Sequence, residues 1–94
     1  MLFTWDPTKG EQNVRKHGVS FEVAQTVFDD PLHVSILDTK SKDEERWVTL
    51  GKSTTGKALV VVHTYREEGG HEMIRIISAR RATKKEVHHY EEGI

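Results

Sequence analysis

The sequence predicts an α+β protein: an antiparallel sheet of about four strands, a short N-terminal strand, two N-terminal helices and one C-terminal helix packed on the sheet. Two observations predict this class. Short runs rich in Val, Ile and Thr, separated by turn residues, fill much of positions 32–79, whereas segments with helix caps stand before and after them. The short connections between consecutive strands favour antiparallel pairing.

The first elements are a strand over residues 2–5, with aromatic side chains at alternate positions, and a helix. Asp6 caps this helix, and Pro7 fits its first position because the N–H that proline lacks would be unpaired there. We expect the helix to end at about His17, since Gly18 suits the left-handed residue that follows many helices.

A second helix is predicted after Ser20, its N-cap. Its apolar positions share one face at helical spacing: Phe21, Ala24, Val27 and Phe28. The sequence Asp-Asp-Pro at 29–31 ends it, because a residue that precedes proline disfavours helical geometry.

Four further strands are predicted, over residues 32–37, 45–51, 57–66 and 72–79. The turn-rich segments "KSTTG" and "EEGG" connect the last three of them. The final helix is expected from Lys84 to about Glu92, because Thr83 and Glu86 form a capping-box pattern at its start.

The chain has 94 residues, which suffice for one domain over 1–94 and leave no room for a second core. The absence of cysteine excludes disulfide bonds, thiolate zinc sites and a cysteine nucleophile. No metal or other cofactor is predicted, because the adjacent His88 and His89 point apart on a helix. No run of roughly 18 apolar residues and no secretion signal occur, so we expect a soluble cytoplasmic protein with no membrane partner.

Charge is distributed unevenly along the chain. The net charge is −1 with histidines neutral, which does not favour a general nucleic-acid binder. Residues 75–85 nevertheless contain five cations and no acid: Arg75, Arg80, Arg81, Lys84 and Lys85. The sequence therefore predicts a neutral protein with one locally basic surface.

His63 lies in a strand whose two faces are both apolar, so the strand is expected at the centre of the sheet. Leu59, Val61 and Tyr65 share its face. The histidine is either a satisfied core group or a group in a cleft that titrates near neutral pH and does acid–base work.

Arg75 alternates with Met73, Ile77 and Ala79 on the neighbouring strand, which predicts a common face. An arginine there must reach water, pair with an acid such as Glu45 or Glu72, or bind an anion. The same question applies to Arg46. The two arginines and His63 can converge on one face, and the strand register decides whether they do.

Arg80 and Arg81 are expected to leave the strand and lead into the cap at Thr83. A helix N-terminus beside guanidinium groups favours phosphate. Consecutive arginines usually diverge, so only one of the two is expected to face a site, and a solvated surface charge is the alternative for each.

The chain resembles the BrnT family, toxins of type II toxin–antitoxin systems with a RelE-like fold. The residues that carry the resemblance span nearly the whole chain in order: F-x-W-D-P-x-K at 3–9, N-x-R-K-H-G-V-S-F-E-x-A at 13–24, V-F-D-D-P at 27–31, D-E-E-R-W at 43–47, V-V-V-H-T at 60–64, R-I-I-S-A-R-R-A-T at 75–83 and Y-E at 90–91.

The resemblance implies a ribosome-independent ribonuclease that arrests growth by cutting RNA. It also implies a BrnA-type antitoxin with a ribbon-helix-helix domain as partner, and a complex of the two that represses its own operon. Contact with operator DNA is then expected only through the antitoxin.

Metal-free RNA cleavage by 2′-hydroxyl attack needs a base, an acid and cations around the phosphorane. The chain offers His63, or less favourably Glu45, as base or acid, with Arg46, Arg75 and Arg80 as phosphate clamps. Further residues are candidates for binding RNA or the antitoxin: Lys16, His17, Arg81, Lys84, Lys85 and Tyr90. We hypothesise that the antitoxin and RNA compete for the 75–85 surface. The alternatives are a non-catalytic corepressor module and, less favoured, a metal-dependent nuclease.

Overall fold

A computed structural model of the chain describes residues 1–41 and 44–93. Asp43, the first residue of D-E-E-R-W, lies outside the described residues. The strands are β1 (Leu2–Thr4), β2 (Val34–Asp38), β3 (Arg46–Lys52), β4 (Ala58–Glu68) and β5 (His71–Arg81); the helices are α1 (Pro7–His17), α2 (Phe21–Ala24), a 3₁₀ helix (Gln25–Asp29) and α3 (Lys84–Glu92). The predicted α+β class is confirmed.

The five strands form one sheet in the order β1-β5-β4-β3-β2, with β4 at its centre. Strands β2 to β5 are antiparallel, as predicted. The sheet is not wholly antiparallel, because β1 runs parallel to β5, from Leu2 beside Met73 to Thr4 beside Arg75. Almost the whole chain separates these two strands, so no tight turn constrains their relative direction.

Helix α1 begins and ends where its local signals predict. The Asp6 carboxylate accepts a hydrogen bond from the Thr8 N–H at 2.9 Å. Pro7 is the first helical residue, and Gly18 follows the helix with φ of 71°. The Gly18 N–H donates to the Val14 carbonyl at 2.8 Å, which satisfies one of the last carbonyls of the helix.

Helix α2 is shorter than predicted. Ser20 caps it through a 3.1 Å bond from the Val23 N–H, but α-helical geometry ends at Ala24 and a 3₁₀ helix continues to Asp29. The hydroxyl of Thr26 donates to the Val23 carbonyl at 2.6 Å, and such side-chain bonds compete with the regular helical ones.

The core lies on the side of the sheet that faces α1 and α2, which we call the helix face; the opposite side is the open face. The buried apolar residues of this core are Val19, Phe21, Ala24, Val27, Leu59, Val61, Ile74, Ile76 and Ala79. Helix α3 packs at one end of the sheet, where it contacts β3. None of the described helices is long and apolar enough to cross a membrane.

A β-bulge in β5 changes which side chains share a face. Val62 pairs with Ser78 and His63 pairs with Ile76, so Ile77 is left without a partner on β4. The extra residue shifts the alternation of every later side chain by one. The prediction that Arg75 and Ala79 share a face is therefore wrong, since Ala79 is buried on the helix face.

The same bulge brings Arg75 and Arg80 to one face. Arg75 pairs with Thr64 and Arg80 with Val60, both on the open face of β4. Arg81 pairs with Leu59 on the helix face. Arg80 and Arg81 lie within β5 and not after it, which corrects the predicted end of this strand. The two side chains are on opposite faces, so the prediction that these consecutive arginines diverge is confirmed.

Candidate functional site

A pocket of about 500 Å³ lies on the open face and is lined by side chains of both charges. Its floor follows from the register, because Thr4, Arg75 and Thr64 are neighbours across β1, β5 and β4. Glu44, Glu45 and Arg66 are the other charged residues of the lining. We call this the open-face pocket.

Two arginines meet at one carboxylate beside this pocket. Arg75 Nη2 lies 2.6 Å from Glu44 Oε1, and Arg46 Nε lies 4.0 Å from the same oxygen. Arg75 thus pairs with Glu44 and not with either of the predicted acids, Glu45 or Glu72. All three paired side chains are between 41% and 49% exposed, and ion pairs at such exposure contribute roughly 0–1 kcal/mol. An incoming phosphate can therefore displace Glu44 at small cost.

Glu72 instead accepts a hydrogen bond from the Tyr65 hydroxyl at 2.9 Å. This bond raises the pKa of Tyr65, because removing the proton would place a phenolate beside the carboxylate. Tyr65 stays protonated at neutral pH and also lines the open-face pocket.

His63 does not join the arginines. Its side chain is on the helix face, 3% exposed, with its ring centroid 4.9 Å from that of Phe28. Nε2 lies 2.7 Å from Thr49 Oγ1, which lies 2.7 Å from Ser35 Oγ. Burial lowers the pKa of His63, so the imidazole is neutral at neutral pH. The register thus brings Arg46 and Arg75 together and separates His63 from both.

Arg80 is engaged by α3. Its Nη1 and Nη2 donate to the two Glu86 carboxylate oxygens at 2.8 and 2.9 Å. The same carboxylate accepts the Thr83 N–H at 2.8 Å, which completes the capping box. These bonds, those of Arg80 foremost, hold the pKa of Glu86 down at about 2. An internal carboxylate therefore lies where the sequence predicts a phosphate, and Arg80 can bind RNA only by leaving Glu86.

The other predicted binding residues are spread over the molecule. Arg81 and Lys57 line a groove of about 370 Å³ on the helix face, next to Val14 of α1. Lys16 and His17 are in the last turn of α1, and Lys84 and Lys85 are exposed at the start of α3. The five cations of 75–85 thus do not form one continuous basic surface, which corrects that prediction.

Tyr90 is tied to a carboxylate within the protein. Its hydroxyl donates to Asp30 Oδ2 at 2.5 Å, and Asp30 also accepts the N–H groups of Leu32 and Lys52. The bond to Asp30 raises the pKa of Tyr90 to about 12. This contact links α3 to the segment before β2, so the hydroxyl that we expected to meet RNA or the antitoxin has an internal partner.

Sequence reasoning missed Glu44 and the two hydroxyl residues Thr4 and Thr64. Glu44 precedes the strand, where alternation gives no direction for a side chain. The threonines are ordinary strand residues, and only the register reveals that they flank Arg75. In the part of the chain that is described, no three His, Asp or Glu side chains gather as a metal site would require.

A solved structure shares this architecture. The crystal structure of the Brucella abortus ribonuclease toxin BrnT, at 1.1 Å resolution, superimposes with a TM-score of 0.59, covering 89% of this chain and all of that one. The two are 20% identical, so the likeness concerns the fold. No curated protein matches the chain in sequence.

The sequence carries the family assignment. Residues 5–86 match the sequence model of the family described as "Ribonuclease toxin, BrnT, of type II toxin-antitoxin system". The match includes β2 to β5, both N-terminal helices and the residues around the open-face pocket from Glu44 to Arg75. It extends over most of the chain, and the protein therefore belongs to the BrnT family of ribonuclease toxins of type II toxin–antitoxin systems.

Proposed function

We propose that this chain is an active endoribonuclease that cuts RNA in the open-face pocket without a ribosome or a metal ion. One observation carries the proposal: two guanidinium groups, those of Arg46 and Arg75, meet at the exposed carboxylate of Glu44 beside a pocket that holds a second carboxylate, Glu45. Cations supply the stabilisation that a phosphorane needs, and a carboxylate can accept the proton of a 2′-hydroxyl.

The reaction follows from these groups. A phosphate that enters the pocket exchanges with Glu44 for Arg75 and Arg46. Glu45 removes the proton from the 2′-hydroxyl, whose oxygen then forms a bond to phosphorus as the bond to the 5′-oxygen breaks. Glu45 returns that proton to the leaving oxygen. The products are a 2′,3′-cyclic phosphate and a free 5′-hydroxyl. His63 stays a rival for the proton transfer, and its burial on the helix face is the argument against it.

Cleavage by the purified chain in excess EDTA tests the proposal. We expect wild-type protein to cut RNA, and Arg75→Ala to lose about 10²–10³-fold in kcat because one donor to the phosphorane is removed. Glu45→Gln is expected to lose about 10²–10⁴-fold, the usual contribution of one acid–base group. Arg81→Ala is the matched control, since it removes a guanidinium from the helix face, and it should cleave normally.

Two results would count against this function. Cleavage that stops in EDTA would point to a metal-dependent nuclease. Intact RNA, together with a functional DNA-bound complex, would favour the non-catalytic corepressor. The pairing of Arg75 with Glu44 and of Arg80 with Glu86 is the feature that favours this second candidate, because both guanidiniums already have anionic partners.

We further propose that the partner is a BrnA-type antitoxin with a ribbon-helix-helix domain. In this proposal the antitoxin covers the RNA-binding surface, and the complex represses its own operon with operator DNA bound only by the antitoxin. The net charge of −1 supports this arrangement, because a nearly neutral protein has little general affinity for DNA.

A further inference from the structure

A second cavity, of about 260 Å³, opens on the helix face. Aromatic rings and imidazoles form most of its wall: Phe28, His33, Trp47, His63 and Tyr65. We call it the aromatic cleft. The ring of Phe28 packs near both histidines, with its centroid 4.9 Å from that of His63 and 6.0 Å from that of His33. None of the described residues that line it is a lysine, arginine, aspartate or glutamate, so it suits a flat and uncharged ligand.

The wall of this cleft also carries hydrogen-bonding groups. Ser35 Oγ, Thr49 Oγ1 and His63 Nε2 form a chain with two steps of 2.7 Å. Ser35 is the exposed end of the chain and lines the cleft, whereas Thr49 and His63 are buried. Hydroxyls both donate and accept, so the cleft can match the polar edge of a heterocyclic ring.

Tyr65 connects the cleft to the open-face pocket. It lines both cavities, and it lies beyond the last pair between β3 and β4, which is Trp47 with His63. Its side chain is 42% exposed. Arg66 and Arg75 lie on the pocket side of this junction. An uncharged aromatic cavity thus adjoins a cavity with cations, and a nucleotide has the same two parts, a flat base and an anionic phosphate.

We infer that the aromatic cleft binds one unpaired base of the RNA substrate while the adjoining phosphate lies in the open-face pocket. This inference rests on the proposed ribonuclease function. A base within a duplex is paired and stacked on both sides, so it cannot enter such a cleft, whereas a base in a single strand stacks readily on aromatic side chains. The substrate class is therefore single-stranded RNA.

A short single-stranded oligonucleotide with 2′-fluoro sugars and one 2-aminopurine base tests the inference, because it binds without offering a 2′-hydroxyl for attack. Stacking of 2-aminopurine on an aromatic ring quenches its fluorescence. We expect quenching by the wild-type protein and an affinity about tenfold lower for Tyr65→Ala, since one stacking contact is lost. Tyr65→Phe keeps the ring and should bind like wild type.

His33→Ala, at the exposed rim, is a second variant that should also weaken binding, and thermal unfolding checks the fold of each variant. Val14→Ala is the control, because Val14 is about as exposed as Tyr65, at 46% against 42%, but lies on α1 outside the cleft. Wild-type affinity in both Tyr65→Ala and His33→Ala, or no quenching by wild type, would overturn the inference.

The same proteins separate the two proposals. Binding of the 2′-fluoro probe through Tyr65 without cleavage of ordinary RNA would support the base site and refute the ribonuclease. Cleavage of ordinary RNA, with Tyr65→Ala and His33→Ala both binding the probe as wild type does, would refute the base site alone.

Discussion

His63 is an ionisable group inside the core, and its burial has a consequence for stability. Because the charged imidazole loses hydration there, its pKa lies below 6.5 in the folded protein. Between that lower value and 6.5 the unfolded chain binds a proton that the folded chain does not. The stabilising contribution is therefore complete above pH 6.5 and is lost as the pH falls from 6.5 toward the pKa of the folded state.

We expect the free energy of unfolding to decrease as the pH falls below about 6.5, with a slope of at most about 1.4 kcal/mol per pH unit from this proton. Urea denaturation at a series of pH values measures it, and His63→Gln should lack this component. Glu86 does not interfere in this pH range. Its stabilising contribution is lost only below its ordinary pKa of 4.5, as the pH falls toward its pKa of about 2 in the folded protein. An identical slope in wild type and His63→Gln would contradict the prediction.

For single residues, the sequence predicts the type of interaction better than it predicts the partner. The sequence indicates that Arg75 reaches water, pairs with an acid or binds an anion, and in the structure it pairs with Glu44. It does not distinguish Glu44 from Glu45, because both precede β3 and nothing in a loop fixes the direction of a side chain. Tyr90 is similar: the sequence makes it a candidate for binding RNA or the antitoxin, but it does not reveal the bond to Asp30, because the two residues are far apart in sequence.

At the scale of elements, Asn13 holds the part of β5 that follows the bulge. Strand β1 pairs with β5 only at residues 73–75, so the backbone of Ala79 lacks a neighbouring strand on that side. Asn13 replaces it: Nδ2 donates to the Ala79 carbonyl at 2.8 Å, and Oδ1 accepts the Ala79 N–H at 3.1 Å. A further 2.8 Å bond from Nδ2 to the Val19 carbonyl joins the loop after α1.

Asn13→Ala is expected to destabilise the protein by about 3 kcal/mol or more, because three buried backbone groups lose their partner at roughly 1–3 kcal/mol each. The midpoint of urea denaturation measures this loss. Gln12→Ala is the matched control, since Gln12 is the adjacent and exposed amide of the same helix. Equal midpoints for the two variants would show that the Asn13 bonds contribute nothing.

Elements with local signals were predicted well, and those that depend on register were not. The caps of α1 and α3 lie within a few residues of the helix ends, so the sequence alone locates them. The bulge at Ile77 depends on pairing between two strands, and it reverses the face on which Ala79, Arg80 and Arg81 lie. Alternation read along one strand cannot reveal it.

At the scale of the whole molecule, the distribution of charge sets what can bind where. The cations of 75–85 are close in sequence but separated in space: Arg75 faces the open-face pocket, Arg80 binds Glu86, and Arg81 lines the groove on the helix face. The hypothesis that one surface serves both RNA and antitoxin therefore separates into a claim about the open face and a claim about the helix face.

We expect the antitoxin to compete with RNA on the open face. Arg75→Glu should weaken binding of both the antitoxin and a non-cleavable RNA, because charge reversal beside Glu44 repels any anionic ligand there, whereas Arg81→Glu should change neither by as much. Titration of the toxin–RNA complex with purified antitoxin, followed by RNA fluorescence anisotropy, measures the competition. A ternary complex of toxin, antitoxin and RNA would exclude a shared surface. If Arg81→Glu loses antitoxin binding and Arg75→Glu keeps it, the antitoxin binds instead in the groove that Arg81 and Lys57 line on the helix face.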